Sequence, residues 1–178
     1  RGYQVSHKTC LLGIDIGTSA CKLVVFAPDG AALASRTVAY PTQYPKPGYV
    51  EQNPDDWWNA VCRGLNDLFA EGVVSAWDIA GIGVDGQGWS AIAMDAEGNV
   101  LAPDPIWLDT RAEDICEELK ASVGNDAIFA LSGNPLKAQY VTAKILWMER
   151  HLPQVFQHTN AIMQSNGFIA YRLTGAIT

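Results

Sequence analysis

An α/β fold, with a mixed sheet and helices packed on its faces, is what this sequence predicts. Three observations carry the expectation. Two short apolar runs, CLLGIDI at 10–16 and CKLVVFA at 21–27, are separated by only four residues, which reads as two paired strands. Residues Trp57, Trp58, Val61, Leu65, Leu68 and Phe69 recur at helical spacing along one face. Beyond residue 79, segments of strand period and helix period alternate, which mixes the two element types in one core. With 178 residues, 48% hydrophobic and 17% charged, the chain is long enough for one good core or for one domain of a larger protein.

The elements follow in order. A third strand after the turn PDG (28–30) runs through Leu33, Val38 and Tyr40, and completes an antiparallel meander over 10–40. Pro41, Pro45, Pro47 and Gly48 make a loop that cannot pair regularly. Asn53 is placed to cap a helix, Pro54 fits its first position, and Asp55 and Asp56 suit the positive end of its dipole. Strands are expected at 79–85 and 90–95, the latter closing on the turn AEGN. Thr110 is expected to cap a helix over 111–121, and a further helix runs from Thr142 to His151. A short strand at 160–164 and a helix at 166–173, ended by Gly175, close the pattern.

Composition excludes several classes of function. The balance of 12 Lys plus Arg against 19 Asp plus Glu gives a net charge of −7, and no basic run exists, so a nucleic-acid surface is not expected. No stretch reaches the ~18–20 apolar residues of a membrane span. Cys10, Cys21, Cys62 and Cys116 form no C-x-x-C pair, and are expected to be reduced thiols of a cytoplasmic protein. Residues 1–9 are polar and read as a short lead-in or expression remnant.

The stretch GIDIGTSACKLVVF (13–26) carries the first candidate site. A G-x-x-x-x-G-K-[ST] phosphate loop is absent. Gly81, Gly83 and Gly86 match G-x-G-x-x-G, but the following QGWSAIAMD alternates like a strand and supplies no helix start for a pyrophosphate. The dinucleotide reading is therefore weak. In the first hairpin, Gly17 permits a turn that points successive amides into one hollow, an anion nest. Thr18 and Ser19 add hydroxyls, Lys22 adds a cation, and Asp15 could hold a magnesium ion. The competing account is an ordinary hairpin with Gly-Thr-Ser as turn residues.

Six segments together, GIDIGTSACKLVVF, GYVEQNPDDWW, GIGVDGQGWSAIAMDAEGNVL, PIWLDTRA, TAKILWMERHLPQVF and YRLTG, resemble the N-terminal half of the FGGY carbohydrate kinases, in particular their xylulokinase-type members. The likeness covers residues 10–178. It implies a ribonuclease H-like domain of the actin, Hsp70 and sugar-kinase superfamily, here a mixed five-stranded sheet with helices on both faces. It also implies ATP and Mg2+ as cofactors, with Gly17, Thr18, Ser19 and Lys22 toward the phosphates and Asp15 toward the metal. The implied reaction is ATP-dependent phosphorylation of a sugar hydroxyl, with a ketopentose such as xylulose as first choice.

On the sugar side, DGQGWS (85–90) stands where xylulokinase-type members often carry Met-His, so Gly88 and Trp89 depart from the family pattern, and so does Asp85. Gln87 could bond hydroxyls, and Trp89 could face a sugar's C–H side or sit in the core. Trp107, Asp109 and Arg111 in PIWLDTRA and Tyr140 in KAQYVTAK complete the candidates, with Asp109 favoured as a sugar contact and Arg111 as its orienting partner. Trp57, Trp58, Trp77 and Trp147 are assigned to packing, and His7, His151 and His158 to non-catalytic positions. The family's catalytic base, an Asp in a Gly-Asp-Asn or Gly-Asp-Gln motif, has no counterpart here and is expected in a C-terminal nucleotide domain absent from this chain. The chain alone is thus expected to be inactive, and an uncovered interdomain face would invite homodimers. The alternatives are a non-enzymatic nucleotide-binding module of the actin or Hsp70 kind and a dinucleotide-binding domain.

Overall fold

In a computed structural model, residues 9–177 are described. The elements are β1 (Cys10–Ile16), β2 (Ala20–Phe26), β3 (Ala32–Ala39), β4 (Glu51–Gln52), α1 (Pro54–Ala70), β5 (Ile79–Gly86), β6 (Ile92–Met94), β7 (Asp104–Pro105), α2 (Glu113–Val123), α3 (Asn125–Ser132), α4 (Val141–His151), α5 (Pro153–His158), β8 (Ala161–Met163) and α6 (Ser165–Thr174). The backbone groups into two compact units. His7 and the lead-in, apart from Thr9, lie outside the described residues.

The first unit comprises residues up to 41, 55–86 and 169 onward. It holds a four-stranded sheet ordered β3-β2-β1-β5, antiparallel except for the parallel β1–β5 pair. Strand alternation sorts Leu12, Ile14, Ile16, Cys21, Leu23 and Val25 onto one buried face. Helix α1 packs there with Trp57, Val61 and Leu68 fully buried. The approach is close at Gly64, where a Cβ would stand 2.4 Å from Leu23 Cδ1 and 3.2 Å from Val38 Cγ2. The opposite face carries Leu11, Gly13 and Asp15 beside Phe26, Val24 and Lys22. The sheet therefore has four strands where the sequence predicts five, and α1 covers one face while Leu11, at 54% exposure, lies open on the other. Trp77, expected in packing, is 75% exposed.

The second unit comprises 42–54 and 87–168. The expected fifth strand is here: β6 pairs with β8, and β4 pairs with β7, both antiparallel. Helices α2 and α4 contribute Ile115, Cys116, Ala143 and Trp147 to a common core that Ala112, just ahead of α2, joins. Thr110 does not cap α2, which begins at Glu113 after Ala112. The Thr110 hydroxyl instead faces the Gly48 carbonyl. Helices α3 and α5 add two elements that the periodicity does not predict; α3 ends on Gly133 in a left-handed conformation. Among the described residues, no helix is long and apolar enough to cross a membrane, and Cys10, Cys21, Cys62 and Cys116 are free thiols.

Candidate functional site

The first cluster lies wholly in the sheet unit. Strands β1 and β2 pair Asp15 with Lys22 across the hairpin, and the parallel β1–β5 register sets Asp85 on Asp15's other side. These three side chains line a groove of about 390 Å³ with Gly13, Val24, Phe26 and Gly83. Asp15 is thus flanked by a cation on one side and a second carboxylate on the other, over a floor of glycine and apolar residues. No Cβ crowds Gly83, so the backbone there is open to a ligand.

The turn beside this groove differs from the expected nest. Gly17 is not among the glycines with positive φ, and its amide donates to the Ala20 carbonyl at 3.1 Å. That amide closes the hairpin and is not aimed at an anion. Gly17 also leaves little room at the turn: a Cβ there would stand 3.1 Å from the Ala20 carbonyl oxygen, closer than ordinary van der Waals contact. Tyr40, which the sequence pattern does not single out, braces the turn by donating its hydroxyl to the Gly17 carbonyl, while its amide donates to the Ser19 carbonyl. Burial, then the charges of Cys21 and Asp15, push the Tyr40 hydroxyl well above the usual range. Burial and Asp15 push the Cys21 thiol up to about 12. Asp15 thus acts as a source of negative potential at the hairpin mouth, a setting that favours a bound cation. One or two carboxylates completed by waters and phosphate oxygens suit magnesium, so Asp15, with Asp85 beside it, fits that ion. The fingerprint glycines Gly81, Gly83 and Gly86 all lie within β5, and the next element is a strand, so no helix start is available for a dinucleotide.

The second cluster lies wholly in the other unit, centred on the loop between β5 and β6. Gln87 donates its amide to Gln52 Oε1 at 2.8 Å, and buried Gln52 in turn donates to Thr42. The Gln87 carbonyl accepts from the Ser165 hydroxyl, while its side-chain oxygen is buried without a protein partner. That oxygen is a candidate acceptor for a ligand hydroxyl. Gly88 is exposed, and a Cβ there would meet nothing within 4 Å. Trp89 is 45% exposed and, among the described residues, is the non-glycine residue with positive φ, at 63°. A tryptophan in that conformation costs on the order of 1–3 kcal/mol and persists only where its surroundings hold it. Its ring packs on Tyr140 with centroids 4.8 Å apart. Trp107 is 39% exposed on the loop that follows β7.

Two buried charges support these loops. Lys144, 1% exposed, donates Nζ to the Trp89 carbonyl at 2.6 Å and to the Ile106 carbonyl at 3.0 Å. Asp104, also 1% exposed, accepts from the Ala91 amide at 2.7 Å. Burial raises the Asp104 carboxyl above its ordinary range and lowers the Lys144 ammonium below its own, each partly offset by the charge of the other.

Asp109 is not available to a sugar. It is fully buried, and its Oδ2 accepts from the Val50 amide and from Arg111, while Oδ1 accepts from the Arg111 amide and Nε. Arg111 also bonds Glu51 and lies over the Tyr49 and Trp147 rings. The pair therefore anchors its loop, with both Asp109 oxygens engaged by the protein itself.

Residues 10–178 match the family model described as the FGGY family of carbohydrate kinases, N-terminal domain. The chain is 32% identical over 167 residues to the xylulose kinase of Bacillus subtilis, covering 94% of this chain and 33% of that one. It is 31% identical over 167 residues to the xylulose kinase of Staphylococcus xylosus, covering 94% and 34%. Among solved structures, xylulose kinase from Rhodospirillum rubrum superposes with a TM-score of 0.88 at 31% identity, over 95% of this chain and 35% of that one. Glycerol kinase from Plasmodium falciparum with ADP gives 0.87 at 24% identity, a likeness of fold. The chain spans about a third of the length of the kinases it matches.

Proposed function

Because the chain belongs to the FGGY family of carbohydrate kinases, as their N-terminal domain, we propose that it supplies the sugar-binding side and one phosphate-facing edge of an ATP-dependent sugar kinase. The observation that carries this reading is the groove that sets Lys22 and the carboxylates of Asp15 and Asp85 side by side at the mouth of the first hairpin. Phosphoryl transfer asks a protein for positioning and for charge opposite the phosphates, and little covalent chemistry. Lys22 supplies a cation, and the Thr18 and Ser19 hydroxyls stand at the same turn. A magnesium ion held by Asp15 would neutralise phosphate charge there. On the sugar side, Gln87 offers an unpartnered acceptor, and Trp89, packed at a tilt against Tyr140, offers an apolar face. The proton of the attacking hydroxyl passes to a carboxylate outside these candidates, which we assign to the remaining two thirds that such kinases carry.

The named relatives make xylulose the first substrate to test, although the Gly88-Trp89 pair offers a flatter, more apolar contact than the side chains usual there. Free thiols fit the reducing cytoplasm. Expressed at the full length of its reading frame, the protein is expected to release ADP only when a sugar, MgATP and enzyme are all present, and fastest with xylulose among xylulose, ribulose, glycerol and gluconate. A coupled ADP-release assay reads this. ADP release that is indifferent to sugar would favour the actin- or Hsp70-like module instead.

A further inference from the structure

We infer that Lys144 is the positioning residue of the β5–β6 loop: its ammonium, shared between the Trp89 and Ile106 carbonyls, holds Trp89 in the left-handed conformation that presents its indole. Three observations meet here. Trp89 has φ 63°, which a bulky side chain does not adopt unless held. Its carbonyl receives a 2.6 Å bond from an ammonium that is 1% exposed. Its ring packs on Tyr140, whose carbonyl accepts from the Lys144 amide, so one turn at the start of α4 grips Trp89 by both backbone and ring. The second Nζ bond, to Ile106, ties in the loop that carries Trp107. Asp104 restrains the same segment two residues further on, by accepting from the Ala91 amide.

A buried ammonium is costly to desolvate, and a neutral apolar residue would pack at that position without that cost. What the ammonium adds is several donors at one point, enough to join carbonyls from two loops. The consequence for sugar recognition rests on the function proposed above, whereas the control of Trp89's conformation does not.

The test labels the chain with 5-fluorotryptophan and follows the Trp89 resonance by 19F NMR, assigned with Trp89→Phe. Lys144→Met is expected to shift or broaden the Trp89 and Trp107 lines and leave Trp57 and Trp58 unmoved. In urea denaturation, Lys144→Met should cost less stability in a Trp89→Gly background, because glycine adopts that φ without strain. Lys144→Gln, which keeps an amide donor, should recover part of the Trp89 signal, and serves where the methionine variant does not fold. Xylulose titration should show affinity reduced by about tenfold in Lys144→Met. An unmoved Trp89 line, or a Lys144→Met stability loss that is the same with and without Trp89→Gly, would overturn the inference. Coupling between Lys144 and Trp89 without xylulose binding by the unmodified chain would uphold it and count against the sugar reading alone.

Discussion

Both carboxylate oxygens of Asp109 are occupied by the protein itself, and this separates a residue that builds a site from one that faces a ligand. Asp109→Asn removes one of the two carboxylates that face the buried Arg111 guanidinium and leaves Glu51 as its remaining partner. It is expected to cost about 1–3 kcal/mol in urea denaturation, the range for a charge-assisted hydrogen bond lost in a buried setting. The sequence shows an acid at a loop entering a helix, but nothing in it reveals that Val50, 59 positions away, claims one oxygen. Lys144 is more legible. It shares a helix with Ala143, Trp147 and Met148, all buried, and a lysine among apolar positions at that spacing calls for a buried partner. Asp104 gives a pH test. Burial raises its carboxyl, so the folded chain binds that proton more tightly than the unfolded chain. Its contribution to stability is thus present at pH below the ordinary carboxylate range and is lost as pH rises toward the raised folded value. Stability relative to Asp104→Asn should fall across the weakly acidic range; a difference independent of pH would contradict this.

Elements with strong, uninterrupted patterns are readable in advance. The hairpin β1–β2 and helix α1 fall where alternation and helical spacing put them. Strand β6 is recognisable as a strand but not as a partner of β8, because alternation reports which residues face inward and not which strand lies alongside. The two-residue strands β4 and β7 are too short to show any period. Helix α3 lacks a buried face, with Phe129 and Leu131 both exposed, so its spacing signal is weak. The seam between α1 and the sheet depends on Gly64. Gly64→Val would improve no contact and would drive Cβ into Leu23 and Val38. Overpacking of this kind costs about 1–3 kcal/mol, and a thermal denaturation midpoint that stays unchanged would show that the helix can shift freely.

At the scale of the whole molecule, the sheet unit carries Asp15, Gly17, Thr18, Ser19, Lys22 and Asp85, and the other unit carries Gln87, Gly88, Trp89, Trp107 and Tyr140. Asp15 to Lys22 and Gln87 to Trp89 each stand in one short run, whereas Trp107 and Tyr140 become candidates only through the family resemblance. The supports, Tyr40, Gln52, Asp104 and Lys144, join distant parts of the chain, and short spacing does not disclose their partners. The central claim is a division of labour: polyphosphate and its metal at the first hairpin, sugar at the β5–β6 loop. Amide chemical-shift mapping of the isotopically labelled chain tests it most directly, with MgATP in one titration and xylulose in another. The account predicts that MgATP moves the amides of residues 15–22, that removing magnesium with EDTA sharply weakens that response, and that xylulose moves residues 87–89. MgATP acting at residues 87–89 while 15–22 stay unmoved would contradict it.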